Sequence, residues 1–389
     1  MKNNILLSLA IVSLVGVSLV SCQVENGGGS STNSGGNQSS TFVIPPDAEV
    51  VQGVYANPVS VTLSDGNTNY TKEIADPTVV RGDDGYFYCF STDQRVLISE
   101  DACNWMLWTE KIINRPTWGD NYYYAGSKPN VWAPDVVKVG DKWIYYYSLS
   151  GWGEPVGIGY AVADDCGGPY VDQGKLFTGE EMGIENCIDP QVFVDDDGKV
   201  YMTVGSFQGL WLLELTADGM GLHEGLETQK RYKQLIAGYD GEWDGATYEG
   251  GYITKKGDYY YYFGSAGTCC AGQDSTYRVY VGRSEDIYGP YVGADGFPMT
   301  ASRSGSSYGE LVVHKPMSKN EYAGLGHNSI LIDDVGEYWI YYHGYSNQDK
   351  FKTRHLFMDK LLWDDNGFPY VENKRPSFEE EIDGPVFLI

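Results

Sequence analysis

Residues 189–206 read DPQVFVDDDGKVYMTVGS: a short β-branched run, an acidic turn closed by Gly198, and a second apolar run. A β-hairpin looks like this in sequence, with the glycine supplying the turn residue that needs a left-handed backbone. Four other stretches repeat the pattern, namely DPTVVRGDDGYFYCFST at 76–92, VWAPDVVKVGDKWIYYYSLS at 131–150, EGGYITKKGDYYYYFGSA at 249–266 and HNSILIDDVGEYWIYYHGY at 327–345. Counted back from the turn glycine, Asp76, Asp189 and His327 stand nine residues upstream and Glu249 eight. The second copy has Val131 or Trp132 there, so its Asp135 lies deeper along the strand and out of phase.

Positions 76, 132, 189, 249 and 327 are separated by 56, 57, 60 and 78 residues, about the length of a four-stranded antiparallel blade with its loops. The expected architecture is therefore an all-β, five-bladed propeller over residues 70–389, with the innermost strands lining a central channel. Residues at the heads of equivalent strands would then meet at one mouth. Between 70 and 389 no long stretch carries an apolar helical period. The 32 tyrosines and 49 glycines suit short aromatic strands joined by tight turns, and most of the tyrosines must pack between blades.

A formal charge of −26 argues against nucleic acid and polyanionic substrates, which require clustered Lys and Arg. Neutral polymers such as uncharged polysaccharides fit. Lys2, the apolar run from Ile5 to Val20 and the sequence LVSC at 19–22 read as a signal peptide over residues 1–21. It resembles a bacterial lipoprotein signal, with Cys22 as the lipidated first residue of the mature chain. Residues 22–69 are then the lipidated cysteine, a Gly/Ser/Asn tether over 23–41 and a lead-in, giving an exported protein held at a membrane only through its lipid. The outer membrane is the expected location. Six further cysteines allow disulfides whose connectivity the sequence does not give, and Cys89 and Cys187 read as buried thiols. No zinc-type ligand spacing occurs.

An Asp ahead of Pro is often only a turn former. Here three acids and a histidine recur in register over divergent copies, which points to a shared site. Cleavage of a glycosidic bond needs one protonated carboxyl to assist the leaving oxygen and one carboxylate to activate water or attack the sugar. A third acid nearby helps to keep the donor protonated. Asp76, Asp189 and Glu249 supply such a set. Trp132, Trp152 and Phe207 are candidate stacking faces for a sugar, and Asp135 reads as structural. The motifs of competing chemistries, a GxSxG elbow, a P-loop, HExxH or a dinucleotide fingerprint, do not occur.

Several segments resemble glycoside hydrolase family 43, and within it the endo-α-1,5-L-arabinanases. They are residues 186–207 around Asp189, WAPD at 132–135, YEGGYITKKGDYYYYF at 248–263, CCAGQDSTYRVYVGRS at 269–284 and GHNSILID at 326–333. The resemblance, which runs from about 70 to 375, implies that Asp76 is the general base, Glu249 the general acid and Asp189 the residue that tunes and orients the acid. It implies inversion at the anomeric carbon, and calcium near His327 held largely through water. Asn186 joins Trp132 and Phe207 as a candidate substrate-binding residue. Ala75 stands where many relatives have His, and Gly251 where Pro is common.

On this reading the substrate is arabinan, a neutral plant polysaccharide, cut at internal bonds. The rivals are an exo-acting α-L-arabinofuranosidase or β-xylosidase on the same scaffold, and a non-catalytic surface protein that binds glycan. A sialidase is disfavoured, because its carboxylated substrate calls for in-register arginines that the repeats lack.

Overall fold

The computed structural model describes residues 44–389 apart from 46–47, 64, 67–71, 121–129, 152–156, 241–246, 304 and 317–320. The signal segment, Cys22, the tether and Trp152 lie outside the described residues. The expected five-bladed propeller is present, with each hairpin read from the sequence forming the inner pair of strands of one antiparallel blade. The inner strands are Thr78–Arg81, Asn130–Val139, Gln191–Val194, Glu249–Lys256 and Tyr322–Ile332. The turn glycines at 85, 140, 198, 257 and 336 all have positive φ and open space where a side chain would go, so the backbone turn alone selects them.

The aromatic runs make sense once both faces of each blade are seen to be covered. Five apolar clusters occupy the five seams between neighbouring blades. Successive strand residues point to opposite faces, so Tyr145 and Tyr147 enter the seam with the first blade while Tyr146 enters the seam with the third. Tyr341 and Tyr342 divide in the same way between the first and fourth blades. Such strands read as unbroken aromatic stretches rather than as alternating ones. Each buried ring contributes roughly 1.5–3 kcal/mol by leaving water.

Polar bridges join the inner strands around the channel. Asp135, 5% exposed, accepts from Thr78 Oγ1 at 2.8 Å on the first blade and from the Val192 N–H at 2.7 Å on the third. Gln191 Oε1 accepts from the Ile253 N–H at 2.9 Å, Tyr252 donates to the Ile330 carbonyl at 3.2 Å, and the Val79 N–H donates to Ser329 Oγ at 3.1 Å. Asp135 thus binds three blades together, in keeping with its out-of-phase position, and burial raises its pKa to about 6.

The ring is clasped by the two ends of the folded chain. Val50–Tyr55 pairs antiparallel with Ile382–Leu388 in a separate two-stranded ribbon. Asp334, in the turn of the fifth hairpin, accepts from the Leu388 N–H at 2.8 Å and pairs with Arg81 of the first blade at 3.0 Å. The Arg81 guanidinium also lies over Phe87 and Phe387, whose rings are 4.2 Å apart. Val61–Thr62 adds a parallel strand to the outer edge of the first blade. The folded body therefore begins upstream of residue 70, inside the expected lead-in.

Candidate active site

At equivalent places a positive-φ residue stands two positions before the inner strand in blades one and three, Asp76 (55°) and Asp189 (59°), and at a register shift within it in the others, Ala133 (38°), Gly250 (58°) and His327 (51°). The N–H of each is held by a side chain of the preceding blade. Asp76 donates to His343 Nδ1 at 3.0 Å, Ala133 to Thr92 Oγ1 at 2.9 Å, Asp189 to Ser148 Oγ at 2.8 Å, Gly250 to Asp189 Oδ2 at 3.2 Å and His327 to Ser265 Oγ at 2.8 Å. Non-glycine residues in this region each cost on the order of 1–3 kcal/mol, a strain that clusters at functional mouths. Glu249 and Trp132 each stand one residue before their blade's left-handed position. In these two blades the hairpin closes with a two-residue turn and the left-handed residue lies seven places before the turn glycine instead of nine, so the acid one residue further back counted eight. Gly250 has no freedom to vary, since a Cβ there would lie 2.8 Å from Cγ of the His327 ring.

Asp76, Asp189, Glu249 and His327 meet at this mouth. His327 Nδ1 lies 3.1 Å from Asp76 Oδ1 and 3.9 Å from Asp189 Oδ2. Burial works against a charge on the ring, but the two carboxylates outweigh it and move its pKa up to about 9. Asp76 is further surrounded by Thr92 Oγ1 at 2.5 Å and by Arg354 Nη1 at 3.5 Å, while Glu73 grips Arg354 through Nε at 2.7 Å and Nη2 at 3.1 Å. Burial alone would raise the Asp76 pKa; His327 and Arg354 reverse that and hold the group well below the usual carboxylate range. His343, fully buried, accepts the Asp76 N–H and is therefore neutral at Nδ1, and burial lowers its pKa to about 4.

Glu249 experiences the opposite field. It is 8% exposed, accepts from Ser206 Oγ at 2.8 Å, and has the Tyr277 phenol beside it. Burial, reinforced by the Asp189 charge, pushes its pKa up to about 8. Asp189 itself is pushed up to about 6, by burial first, with His327 pulling it down and Asp76 pushing it up. One mouth thus holds a carboxyl that stays ionised and a second that keeps its proton at neutral pH, with Asp189 between them. That split is the one that acid–base hydrolytic chemistry requires.

Among the described residues no three His, Cys, Asp or Glu side chains converge as direct metal ligands. Below the mouth, a water-sized cavity in the channel is lined by Asp135, Asp189, Gln191, His327 and Asn328, among others. Asn328 is 2% exposed, and neither polar atom of its amide has a hydrogen-bond partner. With Nδ1 turned to Asp76, His327 offers Nε2 as a ligand atom only in its neutral form, so a positive charge on the ring and direct ligation of a cation are alternatives. These groups fit a hard cation held mainly through water and oxygen.

Of the substrate-binding candidates, Trp132 and Asn186 are half-buried and close to the head positions in sequence, whereas Phe207 is 5% exposed. Phe207 is a positive-φ residue (53°) whose N–H donates to the Tyr248 carbonyl at 2.8 Å, so its backbone buttresses the residue before the acid. The sequence reading missed Thr92, Ser148, Ser206, Ser265, His343 and Arg354. A signal for the first five was present: a small hydroxyl residue follows each aromatic run seven or eight places after the turn glycine, and His343 takes that place in the fifth copy.

Fold and site together define a five-bladed propeller glycosidase. The family model for glycosyl hydrolases family 43 matches residues 66–369, and the chain belongs to that family. It is 31% identical over 314 residues to the extracellular exo-α-(1→5)-L-arabinofuranosidase ArbA of Cellvibrio japonicus, covering 78% of this chain and 87% of the relative. A probable arabinan endo-1,5-α-L-arabinosidase A of Aspergillus oryzae is 30% identical over 331 residues, 80% of this chain and 94% of that protein. Among solved structures, Cellvibrio cellulosa α-L-arabinanase complexed with arabinohexaose superposes with a TM-score of 0.66 at 30% identity, over 78% of this chain and 97% of that one.

Removal of the Asp189 charge should make Glu249 easier to ionise. In Asp189→Asn, the Glu249 pKa is expected to fall from about 8 while staying above the ordinary value, because burial is its larger cause. Carboxyl-carbon NMR titration of both proteins reads this directly, and an unmoved Glu249 would show that the two groups are not coupled.

Proposed function

We propose that the protein hydrolyses internal α-1,5-L-arabinofuranosidic bonds of arabinan with inversion at the anomeric carbon. The observation that carries the chemistry is the opposed shift of Asp76 and Glu249 within one mouth. Asp76, ionised, takes a proton from water as its oxygen attacks the anomeric carbon. Glu249 delivers its proton to the departing glycosidic oxygen, so the bond breaks without release of an alkoxide. Asp189 keeps Glu249 protonated until that moment and fixes the backbone beside it by accepting the Gly250 N–H. Thr92, Arg354 and His343 hold and charge the environment of the base.

Arabinan as substrate is supported by the relatives named for arabinan cleavage and by the arabinohexaose complex of the Cellvibrio cellulosa enzyme. The internal mode of attack rests on the likeness of segments 269–284 and 326–333 to endo-arabinanases, with ArbA's exo naming marking the alternative. We further propose a calcium ion beneath His327, with Asn328 and the channel waters around it. Such an ion would supply fixed positive charge to the mouth. Export agrees with the extracellular naming of ArbA, and the Cys22 anchor is part of the same reading.

On linear α-1,5-arabinan the mature protein should release oligosaccharides of mixed length from the earliest times, whereas arabinose or one short product from the start would mean exo action. Asp76→Ala and Glu249→Gln should each lower turnover about 10²- to 10⁴-fold, and wild-type rates in both would remove the assigned roles. Exhaustive chelation should lower the melting temperature, with recovery on adding calcium; an unchanged melting curve would count against the ion. Cys22→Ala should move the protein from the membrane fraction to the soluble one, and its retention there would exclude the lipid anchor.

A further inference from the structure

Cys269 and Cys270, adjacent in sequence, are joined in a disulfide, while Cys89, Cys103, Cys166 and Cys187 are buried free thiols. Neighbouring cysteines close the smallest ring that two such residues can make, and gain little from restraining the unfolded chain, since stabilisation by a disulfide grows with the loop it encloses. This bond therefore calls for an explanation other than stability. Its place in the fold supplies one.

The strand Tyr259–Ala266 runs back up beside the acid's own strand, with Ser265 paired to Glu249. The disulfide follows Ser265 by four residues, in the loop that the chain enters where the strand ends at Ala266. The loop that carries it is pinned at its base, where the Thr276 and Tyr277 N–H groups both donate to the Thr268 carbonyl at 3.1 and 3.2 Å. Ser275 Oγ braces its interior, accepting from the Ala271 N–H at 2.9 Å and donating to the Cys269 carbonyl at 3.4 Å. Lys315 Nζ donates to the Gln273 carbonyl at 2.8 Å from the outside. The loop is thus held by its backbone, leaving Cys269 half-exposed and Cys270 exposed on the mouth side of the fourth blade. At its far end it delivers Tyr277 to the side of Glu249.

A general acid protonates the oxygen of the leaving group, so the departing part of a glycan chain lies on the acid's side of the cleft. The loop follows directly from the acid's own hairpin, at the mouth end of the fourth blade, and leads to Tyr277 beside the acid. Two linked sulfurs form a rigid, polarizable, weakly hydrated patch with no side-chain freedom to lose, which matches the apolar face of a sugar ring. We propose that the Cys269–Cys270 disulfide is a stacking platform for a sugar unit of the departing chain. This inference rests on the glycan-cleaving reading above and adds a binding position to it.

The test compares wild type with Cys269→Ser/Cys270→Ser on linear α-1,5-arabino-oligosaccharides of increasing length, reading kcat and KM separately, and follows the Glu249 titration. The expected result is a KM raised about two- to tenfold for substrates long enough to reach the loop, with kcat and the Glu249 titration kept. Reduction of the wild-type disulfide should reproduce the rise. Unchanged KM at every length would overturn the platform. A fall in kcat at all lengths together with a moved Glu249 titration would also overturn it, because the loop would then act only by propping Tyr277. Failure of the wild type to cleave arabinan at all would remove the underlying reading instead, and the platform with it.

Discussion

The site depends on one repeated interaction: the N–H of the left-handed residue at the mouth of each blade is taken by a side chain of the preceding blade. Left to itself, an aspartate or histidine would leave that backbone region, since Cβ crowding disfavours it. The neighbouring blade over-determines the position and holds it there. Each such residue is consequently placed only when the blade before it is in place, and Asp76 only when the fifth blade has returned to the first. Ring closure and assembly of the mouth are the same event.

Around this frame, charge is distributed unevenly. Arg354 and His327 stand on the side of Asp76, and Glu73 keeps the guanidinium in register. Glu249 has a hydroxyl and a phenol for close neighbours, with Asp189 as the nearest charge. Burial raises the pKa of every carboxyl here, so what separates the ionised Asp76 from the protonated Glu249 is the placement of cations. A buried positive group without a partner would be costly, and Arg354 avoids this through its bidentate contact with Glu73.

Much of this was legible in the chain. Each blade is built locally, from a turn glycine flanked by strand-forming runs, so its period survives in the sequence. The acids recur because the mouth is made of equivalent positions. The phase of Asp135 was informative for the same reason: a residue off the common register sits deeper, where it bridges three blades. The hydroxyls after the aromatic runs were just as periodic, yet a serine at a strand end is common enough to pass unnoticed.

The sequence by itself determined the blade count, the hairpins, the identity of the three carboxyls and His327, and the continuous aromatic runs that need two covered faces. Only the tertiary structure decided that His343 and Arg354 meet Asp76, because those residues lie more than 250 positions away in the chain and are joined only by closure of the ring. It also decided the direction of each pKa shift, which depends on burial and on which charge lies a few ångströms away. The cysteine pairing belongs here as well: six thiols permit many connectivities, and in the folded chain Cys269 and Cys270 are joined while the other four are buried and free. Local periodicity is written along the chain, whereas partners and depth are properties of the closed ring.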